Sequence, residues 1–332
     1  MKWGSLLTGI VMAIAMSAKA EAHKLLVYNF TEVNYNFDLF QTQTGVTVEV
    51  DHSDSNLLWT KLNDPQNVAK PDLLLFDDVT EFSEYAKKGW FGPINSKILS
   101  ARIPNTFRDL KSGWVGLSFR ARTMVYNPQL VKASELSTYE DLADPRWKGR
   151  LCLRKGTYKY SQAVVADLML ADGIDVATRV VRGWVANNAQ PIFAGDQPLV
   201  QALESGKCGV ALVNTQYLAT YKTATPNSQL QLFWANQNNR GVHVNITGAA
   251  LFYQSPNPGL ATRLLEYVAS NPQAAAAFAD SKLEYPTNLE FRGTNAIVNS
   301  FGGFKYDTQW LSKIGAMAPA ALSLNIRSGY SP

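Results

Sequence analysis

Histidine is scarce in this chain, cysteine is scarcer, and a long apolar run occurs only at the start. The three histidines, His23, His52 and His243, lie far apart with no partnering motif. The chain has no G-x-S-x-G elbow, no H-E-x-x-H helix and no G-x-x-x-x-G-K-[ST] phosphate loop. It therefore reads as a protein that is not an enzyme. The one cluster with the ingredients of an exported hydrolase is His52 with Ser53 and Asp54, and neighbours along a strand point to opposite faces. Lysine and arginine are scattered. The formal charge of +4 includes Lys2 and Lys19, so the rest of the chain is nearly neutral, with no electrostatic footprint for nucleic acid. Internal repeats and low-complexity linkers are also missing.

The apolar run follows Lys2, reads "WGSLLTGIVMAIAM", and leads into "SAKAEA", which offers small-x-small cleavage after Ala20 or Ala22. It is shorter than the roughly 18 residues that a membrane span requires, so residues 1–20 read as a cleaved secretory signal peptide. No cysteine near that point invites lipid attachment. In an oxidising compartment Cys152 and Cys208 read as a disulfide, the other reading being two buried free thiols. A bridge would make "RLCLR" and "CGVALV" neighbours and stabilise by roughly 4 kcal/mol through chain entropy.

Strand and helix patterns then alternate. "HKLLVYNF", "VTVEVDHS" and "PDLLLFDD" read as strands separated by helices over residues 35–44 and "NLLWTKLN", and "FSEYAKKG" as a helix closed by Gly89. This βαβαβ opening predicts a parallel sheet whose ligand-binding ends follow Phe30, Val50 and Phe76. "GWVGLSFRARTMVYN" reads as two linked strands that cross to a second lobe, and "HVNITGAALFY" as the return crossing. Between them "STYEDLADPRWKGRLCLR" reads as helix, turn and strand, followed by three helices. The expected fold is α/β with two lobes, 23–120 plus 250–332 and 121–249. Each lobe is expected to be a mostly parallel sheet flanked by helices. Two crossings without a flexible linker imply hinge closure over a cleft.

Polar residues collect at the predicted strand ends. Asp77 and Asp78 end the third strand, where the ordinary role is a helix cap. Tyr160 follows "RLCLR", Tyr217 follows "GVALV", and Glu32 follows the first strand. Each alone reads as a packing or surface residue. Together Tyr160, Tyr217, Asp77 and Glu32 put four oxygen donors at strand ends facing one cleft. Phenol and carboxylate oxygens suit a hard, highly charged cation, and ferric ion is the one for which tyrosine is a natural ligand, since magnesium and calcium take carboxylates, carbonyls and water.

The ordered set "GLSFRARTMVYNPQLV", "TYEDLADPRWKGRLCLRKGTYKYSQAVVA", "GVALVNTQYL", "NQNNRGVHVNITGAAL" and "LEYPTN", with "GGFKYDTQWL" near the C-terminus, resembles the periplasmic ferric-iron-binding proteins. These bacterial transferrins are type II periplasmic binding proteins that serve iron ABC transporters. The resemblance implies a monomer in the periplasm that carries ferric ion, with carbonate or phosphate, to a membrane permease. By position it puts the family's paired tyrosines on Gln216 and Tyr217, so one of the pair is replaced. It puts an additional tyrosine on Tyr160, the acidic ligand on Asp77, and Glu32 and Val33 where members carry His-Tyr. Near the anion it implies Asp196 and Asn214. Thr157 and Tyr158 at a helix start, and Arg120 and Arg122 on one strand face, add sites for negative charge. A second resemblance, of "HSDSNLLWTKL" to polyamine- and thiamine-binding relatives, implies instead an organic cation boxed by tryptophans and acids.

Overall fold

Apolar residues spaced for strands open the chain, and the first sheet follows from them. The computed structural model describes residues 24–309 and 311–331, so the expected leader 1–20, its cleavage sites and His23 lie outside the described residues. Strand Lys24–Asn29 runs parallel to Thr47–Asp51 on one side and Leu73–Phe76 on the other. Helices Asp38–Thr44 and Ser55–Asn63 lie between the strands in sequence. All four residues of Leu73–Phe76 are buried, as for a strand covered on both faces. Helix Val79–Lys87 starts where this strand stops. Asp78 is its N-cap, with Oδ1 accepting from Thr80 N at 2.8 Å.

One buried strand joins the two lobes. Trp114–Tyr126 pairs antiparallel with Val244–Leu251 through its first part and with Val210–Asn214 through residues 122–126. The sequence suggested two linked strands here; the chain instead makes one, with a register shift between Gly116 and Ser118. Gly248 faces Gly116 at that irregularity, and a Cβ on Gly248 would overlap the Val115 carbonyl. Val244–Leu251, expected as the second crossing, pairs within the first sheet only. The return itself occurs at His243, whose carbonyl accepts from Arg122 N at 3.0 Å. Because chain that returns across the boundary arrives antiparallel, the sheets are mixed rather than mostly parallel. Among the described strands, parallel pairing is confined to the three opening strands and to Leu151–Cys152 with Val210–Asn214.

The second lobe carries helices Lys159–Asp172, Ile174–Asn187, Asp196–Glu204 and Thr215–Ala224 where the helical patterns lie. The helix expected over "STYEDLADP" is instead two 3-10 turns, Glu140–Ala143 and Pro145–Trp147. Asp144 precedes a proline and is extended at φ −61°, ψ 135°, which stops an α-helix from propagating. Helices Pro258–Ser270 and Pro272–Asp280 return to the first lobe; Ser96 Oγ there donates to Glu266 at 2.6 Å. The last helix, Leu311–Arg327, touches both lobes. Its Gly315 lies against Ser83, and its Asn325 Nδ2 donates to the Gly156 carbonyl at 2.8 Å.

Cys152 and Cys208 are bonded, with Cα atoms 5.9 Å apart, inside an apolar cluster that includes Leu199, Val213 and Leu218. The bridge spans 56 residues of sequence. Replacing both cysteines by alanine is expected to lower the unfolding free energy by about 4 kcal/mol in the chain-entropy account. Urea unfolding of the two proteins measures this, and an unchanged midpoint would mean that the bridge adds nothing.

Candidate functional site

The strand ends of both lobes meet in a run of buried charges. On Trp114–Tyr126, Arg120 and Arg122 are two residues apart and share a face. They serve different lobes. Arg120 Nη1 pairs with Glu284 at 3.0 Å and donates to Thr247 Oγ1 at 3.2 Å, while Nη2 donates to the Asp77 carbonyl. Arg122 Nη1 pairs with Asp196 at 2.9 Å and reaches Asn214 Oδ1 at 3.1 Å. Arg154 takes the other oxygen of Asp196 and lies over the Tyr158 ring at 3.9 Å and the Tyr160 ring at 5.4 Å.

Asp77 is the junction between the lobes. Lys159 Nζ donates to Oδ1 at 2.6 Å and Lys282 Nζ donates to Oδ2; the Tyr160 hydroxyl donates to Oδ2 at 3.3 Å. Burial alone would raise this carboxyl, but Lys282, Lys159 and Arg120 outweigh it and hold it well below the usual carboxylate range. Lys159 also pairs with Glu81 at 3.0 Å, so one second-lobe ammonium binds two first-lobe acids. Lys282 and Glu284 reach the cluster from either side of Leu283, which takes φ 55°. That left-handed turn aims both charges the same way, at the strain expected for a non-glycine residue.

Four phenols surround these charges. Tyr158 is the N-cap residue of Lys159–Asp172 and has no side-chain cap bond; its ring meets the Tyr160 ring edge-on at 5.0 Å. Burial pushes the Tyr160 hydroxyl well above its ordinary range, with Asp77, Tyr217 and Tyr158 contributing and Arg120 opposing. Burial likewise pushes Tyr217 up to about 12, with Asp196, Tyr158 and Glu32 adding and Arg154 opposing. Glu32 is exposed on its loop yet close enough to raise both Tyr158 and Tyr217. The helix start bearing Tyr158 and Tyr160 is fixed from behind by the C-terminal tail. A Cβ on Gly156 would overlap the Tyr330 carbonyl, and Tyr330 OH reaches Ser161 Oγ at 3.4 Å.

The sequence reading missed several participants. Tyr35 is buried, stacks on Phe278 at 4.3 Å, and its hydroxyl has no hydrogen-bond partner. Burial, then Glu284 and Asp77, raise it well above its ordinary range. The pattern over 35–44 reads as helix, but the helix starts at Asp38, and the alternation Val33, Tyr35, Phe37 is the signal that could have found Tyr35. Arg154, Lys282 and Glu284 outside regular elements, and Lys159 at a helix start, were overlooked because single charges carry no pattern.

Of the expected anion residues, Asp196 is buried between Arg122 and Arg154, and Asn214 and Gln216 are buried at the start of Thr215–Ala224. Asn214 Nδ2, Gln216 Oε1, Arg122 Nε and Arg154 Nε are all buried without a partner. Thr157 is exposed, and its carbonyl accepts from Gln162 Nε2 at 2.7 Å. The rival constellations do not assemble. His52 Nδ1 lies 3.1 Å from Asn29 Nδ2, Ser53 Oγ accepts from Lys61 at 3.3 Å, and Asp54 caps the helix Ser55–Asn63. No triad forms from those three. Trp59, the tryptophan of "HSDSNLLWTKL", stacks on Phe30 at 4.3 Å and Tyr85 at 4.2 Å in the first lobe's aromatic core.

A two-lobed α/β frame with polar strand ends converging between the lobes is the frame of a solute-binding protein. Residues 37–299 match the family of bacterial extracellular solute-binding proteins, and the chain belongs to that family. It is 33% identical over 315 residues to iron uptake protein A1 of Synechocystis sp., covering 92% of this chain and 87% of that protein. It is 24% identical over 255 residues to the major ferric iron-binding protein of Neisseria meningitidis serogroup B, covering 76% of each. Among solved structures, a Trichodesmium FutA (IdiA) in complex with iron and citrate aligns with a TM-score of 0.87 at 31% identity, over 93% of this chain and 100% of the other. The ferric binding protein of Campylobacter jejuni aligns at 0.79 and 28% identity, over 92% and 99%.

The contact of Lys159 with the first lobe carries a pH dependence. Burial pushes Glu81 from its ordinary 4.5 up to about 7, with Lys159 opposing and Asp77 and Asp78 adding. A folded value above the unfolded one means that its stabilising contribution is complete below the unfolded value and is lost as pH rises through about 7. Glu81→Gln is therefore expected to flatten the fall of the thermal midpoint between about pH 5 and 8. Its side chain is 24% exposed, so screening limits the gain at the alkaline end to about 1 kcal/mol. Parallel pH profiles for the two proteins would rule this out.

Proposed function

We propose that this protein captures ferric iron, with an accompanying anion, in the periplasm and delivers it as a monomer to the membrane permease of an ABC importer. The observation that carries this reading is the set of phenols, Tyr35, Tyr158, Tyr160 and Tyr217, gathered with Glu32 where the two lobes meet. Relatives named for iron uptake and ferric binding, over most of the chain length, support the choice of cargo. Ferric ion is the hard cation for which phenolate is a natural ligand, because its charge offsets the loss of a phenol proton near pH 7.

Tyr160 and Tyr217 are the principal donors in this reading. Glu32 supplies a carboxylate from the opposing loop, and Tyr35 adds a third phenol. Asp77 has both oxygens engaged by lysines, so it acts as the countercharge that closes Lys159 and Lys282 over the site and becomes a ligand only by exchanging them for the metal. Arg154 and Arg122 flank Asp196 with two positive charges against one negative. Their free Nε groups and Asn214 Nδ2 are donors suited to an oxyanion such as carbonate or phosphate. Tyr158 and Thr157 lie at the helix start beside them. Gln216 supplies a neutral amide oxygen where a second phenolate would add charge.

Titration with ferric citrate tests the reading directly. Wild type is expected to develop a visible phenolate-to-iron charge-transfer band; tight binding without that band would exclude the phenols. Tyr217→Phe should weaken the band and the affinity by about tenfold or more, and Gln216→Tyr should tighten binding. Equal affinities in all three would remove Tyr217 from the site. Both phenols lie above their ordinary range, so each must lose a proton when iron binds. Affinity should fall as pH drops, by about tenfold per pH unit for each phenol deprotonated. A pH-independent affinity would exclude phenolate ligation.

A further inference from the structure

Behind the hinge, on the opposite side of the crossing strand from the cleft, lies a cavity of about 360 Å³. Phe119 pairs with Tyr285 across two antiparallel strands, and both line this cavity. Their neighbours Arg120 and Glu284 form the buried ion pair of the cleft. Alternation along a strand therefore gives one patch of sheet two functions, with charge toward the cleft and rings toward the cavity.

The walls are mainly aromatic. Phe304 lies 5.3 Å from Tyr285, and Tyr306 lies 5.5 Å from Phe119, ring centre to ring centre. Trp234 stacks on Phe304 at 3.8 Å, just outside. Leu289 at the rim is 54% exposed, apolar surface that a ligand would cover. The loop Gly302–Gly303 forms part of the lip, and a Cβ at either position would meet nothing within 4 Å. No acidic residue is among the lining side chains, and Arg292 is their single charged group. Arg292 is exposed and forms no ion pair or hydrogen bond with any described residue. Asp280, beside Gly293 of the lining, has its carboxylate taken by Thr294 and Asn295.

We propose that this cavity is a second binding site, separate from the cleft, and that it takes a small aromatic carboxylate. Flat rings between aromatic walls bury apolar area, and an unpaired guanidinium selects a carboxylate by a bidentate hydrogen bond. An organic cation is disfavoured by the same arginine, and the volume suits a molecule of one or two fused rings.

The probe is 2-naphthoate, added to the mature protein and followed by calorimetry and by the fluorescence of Trp234 against Phe304. Saturable one-to-one binding is expected below about 1 mM, with the neutral isostere 2-naphthalenemethanol about tenfold weaker. Arg292→Gln, an exposed position that leaves the core intact, should weaken naphthoate about tenfold and leave the alcohol unchanged. Phe304→Ala should weaken both. Binding should persist in protein saturated with ferric citrate. Failure to saturate, equal affinity for acid and alcohol, a naphthoate affinity unmoved by Arg292→Gln, or displacement by ferric citrate would each overturn the proposal. None of these outcomes depends on whether the cleft binds iron.

Discussion

A guanidinium removed from water must meet an acid, and the long strand Trp114–Tyr126 buries two of them two residues apart. Truncating one partner of such a buried pair typically costs about 3–5 kcal/mol, because the survivor is left charged and unsolvated. Arg120 finds Glu284 in the first lobe, and Arg122 finds Asp196 in the second. The strand's register is thereby fixed against both lobes, since a slip of one residue would turn both charges to the other face. The phenols depend on that register. Tyr160 lies under Arg120 at 4.9 Å, and the helix start carrying it is held on the other side by Arg154, which shares Asp196 with Arg122.

How much of this could be read beforehand divides along physical lines. Periodic elements were legible: the three opening strands, the helices Lys159–Asp172 and Ile174–Asn187, and the two cysteines that bond. Each is encoded by spacing within a short window. What was not legible is set by partners far away in sequence. The mixed pairing of the sheets follows from where chain returns across the boundary, which no local pattern records. The helix expected before Pro145 failed for a reason present in the sequence, since a residue before proline avoids helical backbone. Asp77 and Asp78 looked interchangeable as letters. Structure separates them, because Asp78 faces its own helix and caps it while Asp77 faces three cations.

The candidate site shows the same division. Tyr160 and Tyr217 were placed by position after strands, and the fold brings both within electrostatic reach of each other. Glu32 was placed by its position after the first strand, and it does lie near Tyr158 and Tyr217. Tyr35 escaped because the stretch 35–44 reads as helix, whereas the helix starts at Asp38 and leaves Tyr35 before it, both buried and near Asp77. A phenol used for packing and one used for ligation share a single hydrophobic signature until their hydroxyl partners are known.

The phenols and the orphaned amides point to one economy of charge. Buried hydroxyls resist ionisation, so in the absence of a cation the phenols stay neutral and add no repulsion to Asp77, Glu81, Glu284 and Asp196. Those four acids stand against five cations, Arg120, Arg122, Arg154, Lys159 and Lys282. Asp78 lies beside them, so the balance is close overall, and the local excess of positive charge is at Asp196, flanked by two arginines. Leaving a buried polar group without a partner costs about 1–3 kcal/mol, and Asn214, Gln216, Arg122 and Arg154 each carry such an atom here. A trivalent cation arriving alone would add to that local excess. In the proposed reading, an anion arriving with it would give those donors an acceptor while the metal let the phenols ionise, each relieving a different part of the site.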